Sequence, residues 1–306
     1  MMAKLGLGTW ALGGPYQFGW GPVDDDQSVE LIQAATSRGV TWLDTAPAYG
    51  TGHAERVVGY AMTQIPERER PRIFTKVGRV WSDESPDSVY TDLKPEGLRQ
   101  QIEASLTRLG LDRVACLQIH RPDRASEVPL EASWERLAEL AQEGYASSIG
   151  LCNISEDQYR RCATVRKVDY VQLAASLVRS PDPDLLNACG EFNTETLAFS
   201  PLGSGLLSGH FARERLAPDD FRATNPFFAG VHLQTAERVV DELRILAAEL
   251  NATIPEVAIA WVLADDRISS CIVGARTITQ MDGWARASEV KLTEAQRALL
   301  TRAAEQ

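Results

Sequence analysis

The amino-acid sequence predicts an α/β protein folded as a closed (β/α)8 TIM barrel, and three observations carry that expectation. Eight short β-rich runs alternate with longer stretches of helical periodicity along the chain. The runs are almost continuously apolar, as parallel strands flanked by helices are. Their number suits a closed barrel better than an open sheet, and no Pro/Ser-rich linker, low-complexity tract or charge block divides residues 1–306, which we read as a single domain.

In order, the strand candidates are LGLGTW (5–10), TWLDT (41–45), RIFTKV (72–77), VACLQIH (114–120), ASSIGL (146–151), VDYVQL (168–173), TLAFS (196–200) and ISSCIV (268–273). Helix candidates fall near 25–38, 53–64, 93–109, 129–143, 155–165, 182–190, 234–250 and 277–288, with an extra helix at about 254–265. Several starts carry their own signals. Asp24, Asp25 and Asp26 crowd the first, Pro129 and Thr277 mark two others, and Thr253 is placed to cap the extra helix with Pro255 in its first turn. A doubly wound sheet would prefer a G-x-G-x-x-G turn after its first strand, and GTWALGGPYQFGWG does not provide one. The segment 208–235 is long for an ordinary connection and reads either as a binding loop or lid, or as an excursion along the barrel rim.

With 44% hydrophobic and 24% charged residues, the chain can bury a large core. Its formal net charge of −11 repels a phosphate backbone or an anionic lipid surface, so neither nucleic acid nor membrane is an expected partner, and a small molecule is. Cys116, Cys152, Cys162, Cys189 and Cys271 form no C-x-x-C pair, and the four histidines lack metal-ligand spacing, so reduced core thiols and no metal are expected. The opening MMAKLGLGTWALGG lacks an apolar run of signal-peptide length, and VAIAWVLA is too short to span a bilayer; a soluble cytoplasmic protein is the expectation. Nothing in the helix patterns separates a subunit interface from faces that cover the barrel, so the oligomeric state is not legible.

Catalytic groups of a barrel lie at the C-terminal ends of strands and in the loops that follow. Here the second strand ends at Asp44 with Tyr49 just beyond, the third reaches Lys76 and the fourth ends at His120. Singly, these residues read as a turn aspartate, a packing tyrosine, a solvated lysine and a turn histidine. As a set at matching heights on three neighbouring strands, they can converge on one pocket mouth. His53, at a helix start, reads as a cap or surface residue. Trp10, Trp20 and Trp81 follow strand ends and either line an aromatic pocket or pack the structure.

The chain resembles the aldo-keto reductase family, and most closely bacterial members near its general stress protein group. The resemblance rests on GLGTW, DTAPAYGTGHAERVVG, TKVG, QIHRPD, IGLCNIS, VQLAAS, FSPLGSGLLSG and IVGARTITQ, in family order from about residue 5 to 280. It implies a nicotinamide cofactor, usually NADPH, and reversible hydride transfer to an aldehyde, ketone or sugar carbonyl. Tyr49 would be the general acid, Lys76 and Asp44 its supporting pair, and His120 the residue that orients the carbonyl.

Those roles make chemical sense. Hydride arriving at a carbonyl carbon leaves negative charge on oxygen, which needs a proton and aimed donors. A cation beside a tyrosine favours the phenolate and lowers its pKa, and a carboxylate keeps that cation charged.

For the cofactor, the resemblance implies contacts from Thr9, Trp10 and Asp44, with Asn153 and Gln172 bonding the carboxamide and Phe199 stacking on the ring. Ser200, Pro201, Leu202, Gly203, Ser204, Gly205, Leu207 and Gly209 would wrap the pyrophosphate, with glycines allowing close backbone approach. Gly274, Arg276 and Gln280 would receive the adenosine end, Arg276 pairing with a 2′-phosphate. Departures from common patterns at Gln280, Trp284 and His210 weaken the expected phosphate discrimination and keep NADH open. The alternative reading is a cofactor-binding regulatory or interaction protein on the same scaffold with little turnover.

Overall fold

The computed structural model describes residues 2–82, 85–123 and 128–305. Its strands are β1 (Leu5–Gly8), β2 (Trp42–Asp44), β3 (Arg72–Val77), β4 (Arg79–Ser82), β5 (Ser85–Thr91), β6 (Cys116–Ile119), β7 (Ile149–Cys152), β8 (Tyr170–Ala174), β9 (Glu195–Phe199) and β10 (Ser270–Gly274). Eight of them close a parallel barrel in the order β1-β10-β9-β8-β7-β6-β3-β2. All eight predicted strands are present, although the first ends at Gly8 and leaves Trp10 in a short 3-10 turn.

The helices are α1 (Asp25–Ser37), α2 (His53–Thr63), α3 (Pro95–Leu109), α4 (Leu130–Gln142), α5 (Glu156–Val165), α6 (Pro183–Glu191), α7 (Phe221–Thr224), α8 (Gly230–Glu249), α9 (Ile254–Leu263), α10 (Ile278–Asp282) and α11 (Glu294–Glu305). Local chemistry fixes many of their starts. The Asp24 carboxylate accepts from Gln27 N–H, with Asp25 and Asp26 in the positive first turn of α1. Thr253 and Glu256 cap each other reciprocally at α9, with Pro255 in its first turn. Among the described residues no single helix is long and apolar enough to cross a membrane.

Four features differ from expectation, the smallest being the one-turn helix α7 inside the 208–235 segment, where no helix is expected. The hairpin β4–β5 was not predicted; it leaves β3 through Gly78, whose φ of +90° suits glycine. The helix expected over 277–288 is regular only over Ile278–Asp282. Helix α11 was also not predicted, although Thr293 and Gln296 bond each other's backbone in the capping-box manner.

Side chains alternate along each strand, so residues two apart share a face. That period builds the barrel interior in layers. The lower layer is apolar: Trp42, Phe74, Cys116, Leu197 and Ile272 form one buried cluster, with the rings of Trp42 and Phe74 5.2 Å apart. Gly6 makes room for it, since a Cβ there would lie 2.3 Å from the Trp42 indole. Two residues further along their strands stand Asp44, Lys76 and Gln118. The apolar layer thus closes the barrel below and keeps water from the polar layer above.

Candidate active site

Asp44 and Lys76 are 2% and 1% exposed, and Lys76 Nζ lies 2.6 Å from Asp44 Oδ1. The ammonium also donates to Thr45 O at 2.9 Å and to the Tyr49 hydroxyl at 3.4 Å. Two charges so far from water persist only when paired and hydrogen-bonded. Burial works against the Lys76 ammonium, but Asp44 and then Tyr49 hold its pKa above the ordinary lysine value. Gln172 donates its side-chain amide to Asp44 Oδ2, and Thr9 donates both N–H and Oγ1 to the Asp44 main-chain oxygen.

Tyr49 reaches this pair from the turn between β2 and α2. The turn is fixed by Tyr49 N–H to Ala46 O at 3.1 Å and Gly52 N–H to Pro47 O at 2.6 Å. Gly50 is required there, because its φ is +63° and a Cβ would lie 1.8 Å from Gly13 O. Burial pushes the Tyr49 phenol up to about 12; Lys76 opposes this without overcoming it. The cation therefore does not produce the net lowering that its proximity suggests. At neutral pH the group is a protonated phenol, able to donate.

His120 packs edge-on to Tyr49 with ring centroids 5.8 Å apart, and its Nδ1 is buried without a hydrogen-bond partner among the described residues. Burial, then Lys76, Arg79 and Arg121, hold its pKa well below the ordinary histidine value. The imidazole is neutral and can donate one N–H. His53 stands outside this group, bonded through Nε2 to Asp25 at 2.8 Å.

All four groups line one cavity of about 830 Å³, within the range of roughly 300–1,000 Å³ usual for cofactor sites. Thr9, Trp10, Asn153, Gln172, Phe199, Ser200, Pro201, Leu202, Ser204, Gly205, Gly274, Arg276 and Gln280 also line it. Its lining extends from Tyr49 and His120 to residues of the loop after β10, including Arg276, Gln280 and Trp284. Asn153 spends its amide N–H₂ on His120 O at 2.9 Å, as Gln172 spends its own on Asp44, so both present amide oxygens as the remaining side-chain acceptors. Ser204 and Gly205 line it at φ of +54° and +99°, and Ser204 O accepts from the Arg222 guanidinium at 3.2 Å.

Gly203, Leu207 and Gly209 do not line the cavity. Leu207 is fully buried in a core cluster with Val239, Leu243 and Val257. Gly203 and Gly209 turn the chain at φ of +56° and +79°. Arg276 reaches the cavity, yet its guanidinium donates to Trp20 O at 3.1 Å and to Pro22 O. Gln280 Oε1 accepts from Arg276 N–H at 2.7 Å.

Trp10 and Trp20 line the cavity, ring centroids 5.6 Å apart, whereas Trp81 lies on β4 under the Arg108 guanidinium and serves as packing. The 208–235 segment supplies Ser208, His210, Phe211, Ala212, Arg215, Leu216 and Arg222 to the lining. It is held across the cavity edge by Phe221 N–H to Gly19 O at 3.1 Å and by the Arg222 guanidinium 4.1 Å over the Trp20 ring. Sequence reading missed Phe211, Arg215 and Arg222 because only this crossing brings them to the site. Thr253, known only as a cap, and Thr279 line it as well.

The aldo/keto reductase family model matches residues 4–305. The NADH-specific methylglyoxal reductase of Escherichia coli is 30% identical over 313 residues, covering 99% of this chain and 95% of that protein. The aldo-keto reductase YhdN of Bacillus subtilis is 30% identical over 296 residues, 94% of this chain and 87% of its own. Among solved structures, the glycerol dehydrogenase AKR11B4 from Gluconobacter oxydans superposes with a TM-score of 0.86 at 31% identity, covering 99% of this chain and 91% of that one. A match over nearly the whole chain, on a barrel that gathers Asp44, Tyr49, Lys76 and His120 at one cavity, leads to one conclusion: this chain belongs to the aldo/keto reductase family.

Proposed function

We propose that the protein is a nicotinamide-dependent reductase of small aldehydes, ketones or sugar carbonyls, acting reversibly, with Tyr49 as general acid and base. The observation that carries this reading is the position of Lys76 Nζ, between Asp44 and the Tyr49 hydroxyl at the cavity floor.

A bound dihydronicotinamide would supply the hydride. The chain's own groups do the rest. Tyr49 donates its proton to the carbonyl oxygen as negative charge develops, and Lys76 stabilises the resulting phenolate. Asp44 keeps Lys76 charged and aimed. Neutral His120 donates a hydrogen bond to the same oxygen and sets its direction. The tight layer of Trp42 and Phe74 below, with Trp10 stacked beside the phenol, limits competing water.

Asn153 Oδ1 and Gln172 Oε1 are suited to accept from a carboxamide, Phe199 to stack, and the Ser200–Gly205 main chain to border the diphosphate. The Arg276 guanidinium is committed to two carbonyls, so a 2′-phosphate must compete for it. We therefore propose use of both NADPH and NADH, with a modest preference set at that residue. Fluorescence titration with each reduced cofactor, followed by a panel of aldehydes, ketones and sugars, tests the reading. Binding with oxidation is expected; no binding of either cofactor would overturn it.

A further inference from the structure

Trp20 joins two parts of the cavity lining, one through its ring and one through its main chain. The indole lines the cavity edge-on to Trp10, with ring centroids 5.6 Å apart, and Trp10 in turn stacks on Tyr49 at 6.5 Å. Trp20 therefore stands one ring away from the phenol. Its carbonyl oxygen accepts from the Arg276 guanidinium at 3.1 Å, and Pro22 O accepts from the other terminal nitrogen of the same group. Arg276 lines the cavity as well, with Thr279 and Gln280, and its own N–H is bonded to Gln280 Oε1 at 2.7 Å. One guanidinium on the loop after β10 thus holds the stretch of chain that carries an aromatic wall near Tyr49.

The wall has a second support. Trp20 pairs with Asp220 in an isolated antiparallel bridge, the Phe221 ring lies 5.7 Å from Trp20 and 5.0 Å from Trp10, and the Arg222 guanidinium covers the indole at 4.1 Å. These contacts persist without Arg276, so weakening its bonds loosens the wall and does not detach it. A guanidinium bonds an oxyanion more strongly than a neutral carbonyl, because charge assists on both sides. An oxyanion that reaches Arg276 shares its donors and weakens its hold on Trp20 O and Pro22 O.

Resting on the carbonyl-reductase reading above, we infer that Arg276 is a positioning residue for the Trp20 wall, and that a 2′-phosphate on the cofactor, by drawing on this guanidinium, makes the carbonyl pocket more tolerant of bulky substrates. With NADH the wall stays held and small carbonyls are favoured. With NADPH it is looser and a planar aromatic carbonyl meets less resistance. The coupling is reciprocal, so a bulky substrate raises the affinity for the phosphate-bearing nucleotide by the same factor.

Two measurements test the coupling. At saturating cofactor, the ratio of KM for benzaldehyde to KM for propanal should be about fivefold smaller with NADPH than with NADH in wild type, the lower end of usual couplings between sites. In Arg276→Ala the ratio should be the same with both cofactors. Equal ratios in wild type, or a cofactor difference that survives in the variant, would overturn the coupling. The second measurement needs no turnover: hydrogen exchange of Gly19, Trp20 and Gly21 is followed with adenosine 2′,5′-bisphosphate and with 5′-AMP. In wild type, exchange should be about threefold faster with the bisphosphate, as expected of a local loosening, and Arg276→Ala should abolish the difference. If neither aldehyde turns over, the reductase reading fails separately, and exchange in wild type alone still decides: a faster rate with the bisphosphate supports the coupling, and equal rates with both nucleotides, bound or not, remove it.

Discussion

Lys76 Nζ and Asp44 Oδ1 are 2.6 Å apart in a barrel interior where each residue is almost fully removed from water. Such a pair contributes little net stability while intact, because desolvation offsets attraction, but losing one partner leaves a buried bare charge. Lys76→Met is therefore expected to lower unfolding free energy by about 3–5 kcal/mol. Adding Asp44→Asn should recover part of that loss. Denaturant unfolding of the single and double variants checks it; additive losses would mean the two groups act independently.

Tyr49→Phe keeps the ring against Trp10 and His120 and removes only the hydroxyl. Turnover should fall by about 10²–10⁴-fold, the usual loss of an acid catalyst, with reduced-cofactor affinity nearly unchanged. Unaltered turnover would transfer the proton donor to another residue.

The Arg276 side chain joins the loop after β10 to the N-terminal loop, 256 residues earlier, through Trp20 O. Because those bonds compete with any 2′-phosphate, Arg276→Ala should change the NADPH-to-NADH affinity ratio by less than about tenfold, or 1.4 kcal/mol. Hydrogen exchange of residues 19–22 should rise in the same variant. A much larger change in the ratio would show that the guanidinium leaves the two carbonyls for the phosphate.

His120 gives the fold a defined acid response. Its folded pKa lies well below the ordinary value of about 6.5, so between the two the unfolded chain binds more protons and stability falls as pH falls. The stability is fully present above about pH 6.5 and declines below it at up to about 1.4 kcal/mol per pH unit from this group. Urea unfolding at pH 7 and pH 5 should show a smaller difference for His120→Asn than for wild type. An identical difference would assign the acid sensitivity to other groups.

Much of the fold and most of the site are written locally. Eight apolar runs, the Asp24 and Thr253 caps and the glycine turns act over a few residues, so their signals lie side by side in the chain. The strand-end rule then points to Asp44, Lys76 and His120 because a parallel barrel puts every strand's C-terminal end at one mouth. Helix α11 is absent from the sequence reading, although its capping signal, Thr293 with Gln296, is just as local. The hairpin β4–β5 was harder, since a short two-stranded excursion has too few residues for a clear period.

The sequence by itself determined the barrel, the family and the chemical types at the strand ends, because these depend on composition, period and contiguous motifs. Tertiary structure decided what those groups do to one another. Burial outweighs Lys76 at the Tyr49 phenol, Trp81 packs away from the cavity while Trp20 is clamped under Arg222, and Leu207 turns into the core. Each outcome depends on distances between residues remote in the chain and on how much water the fold removes around them. No local pattern encodes either quantity.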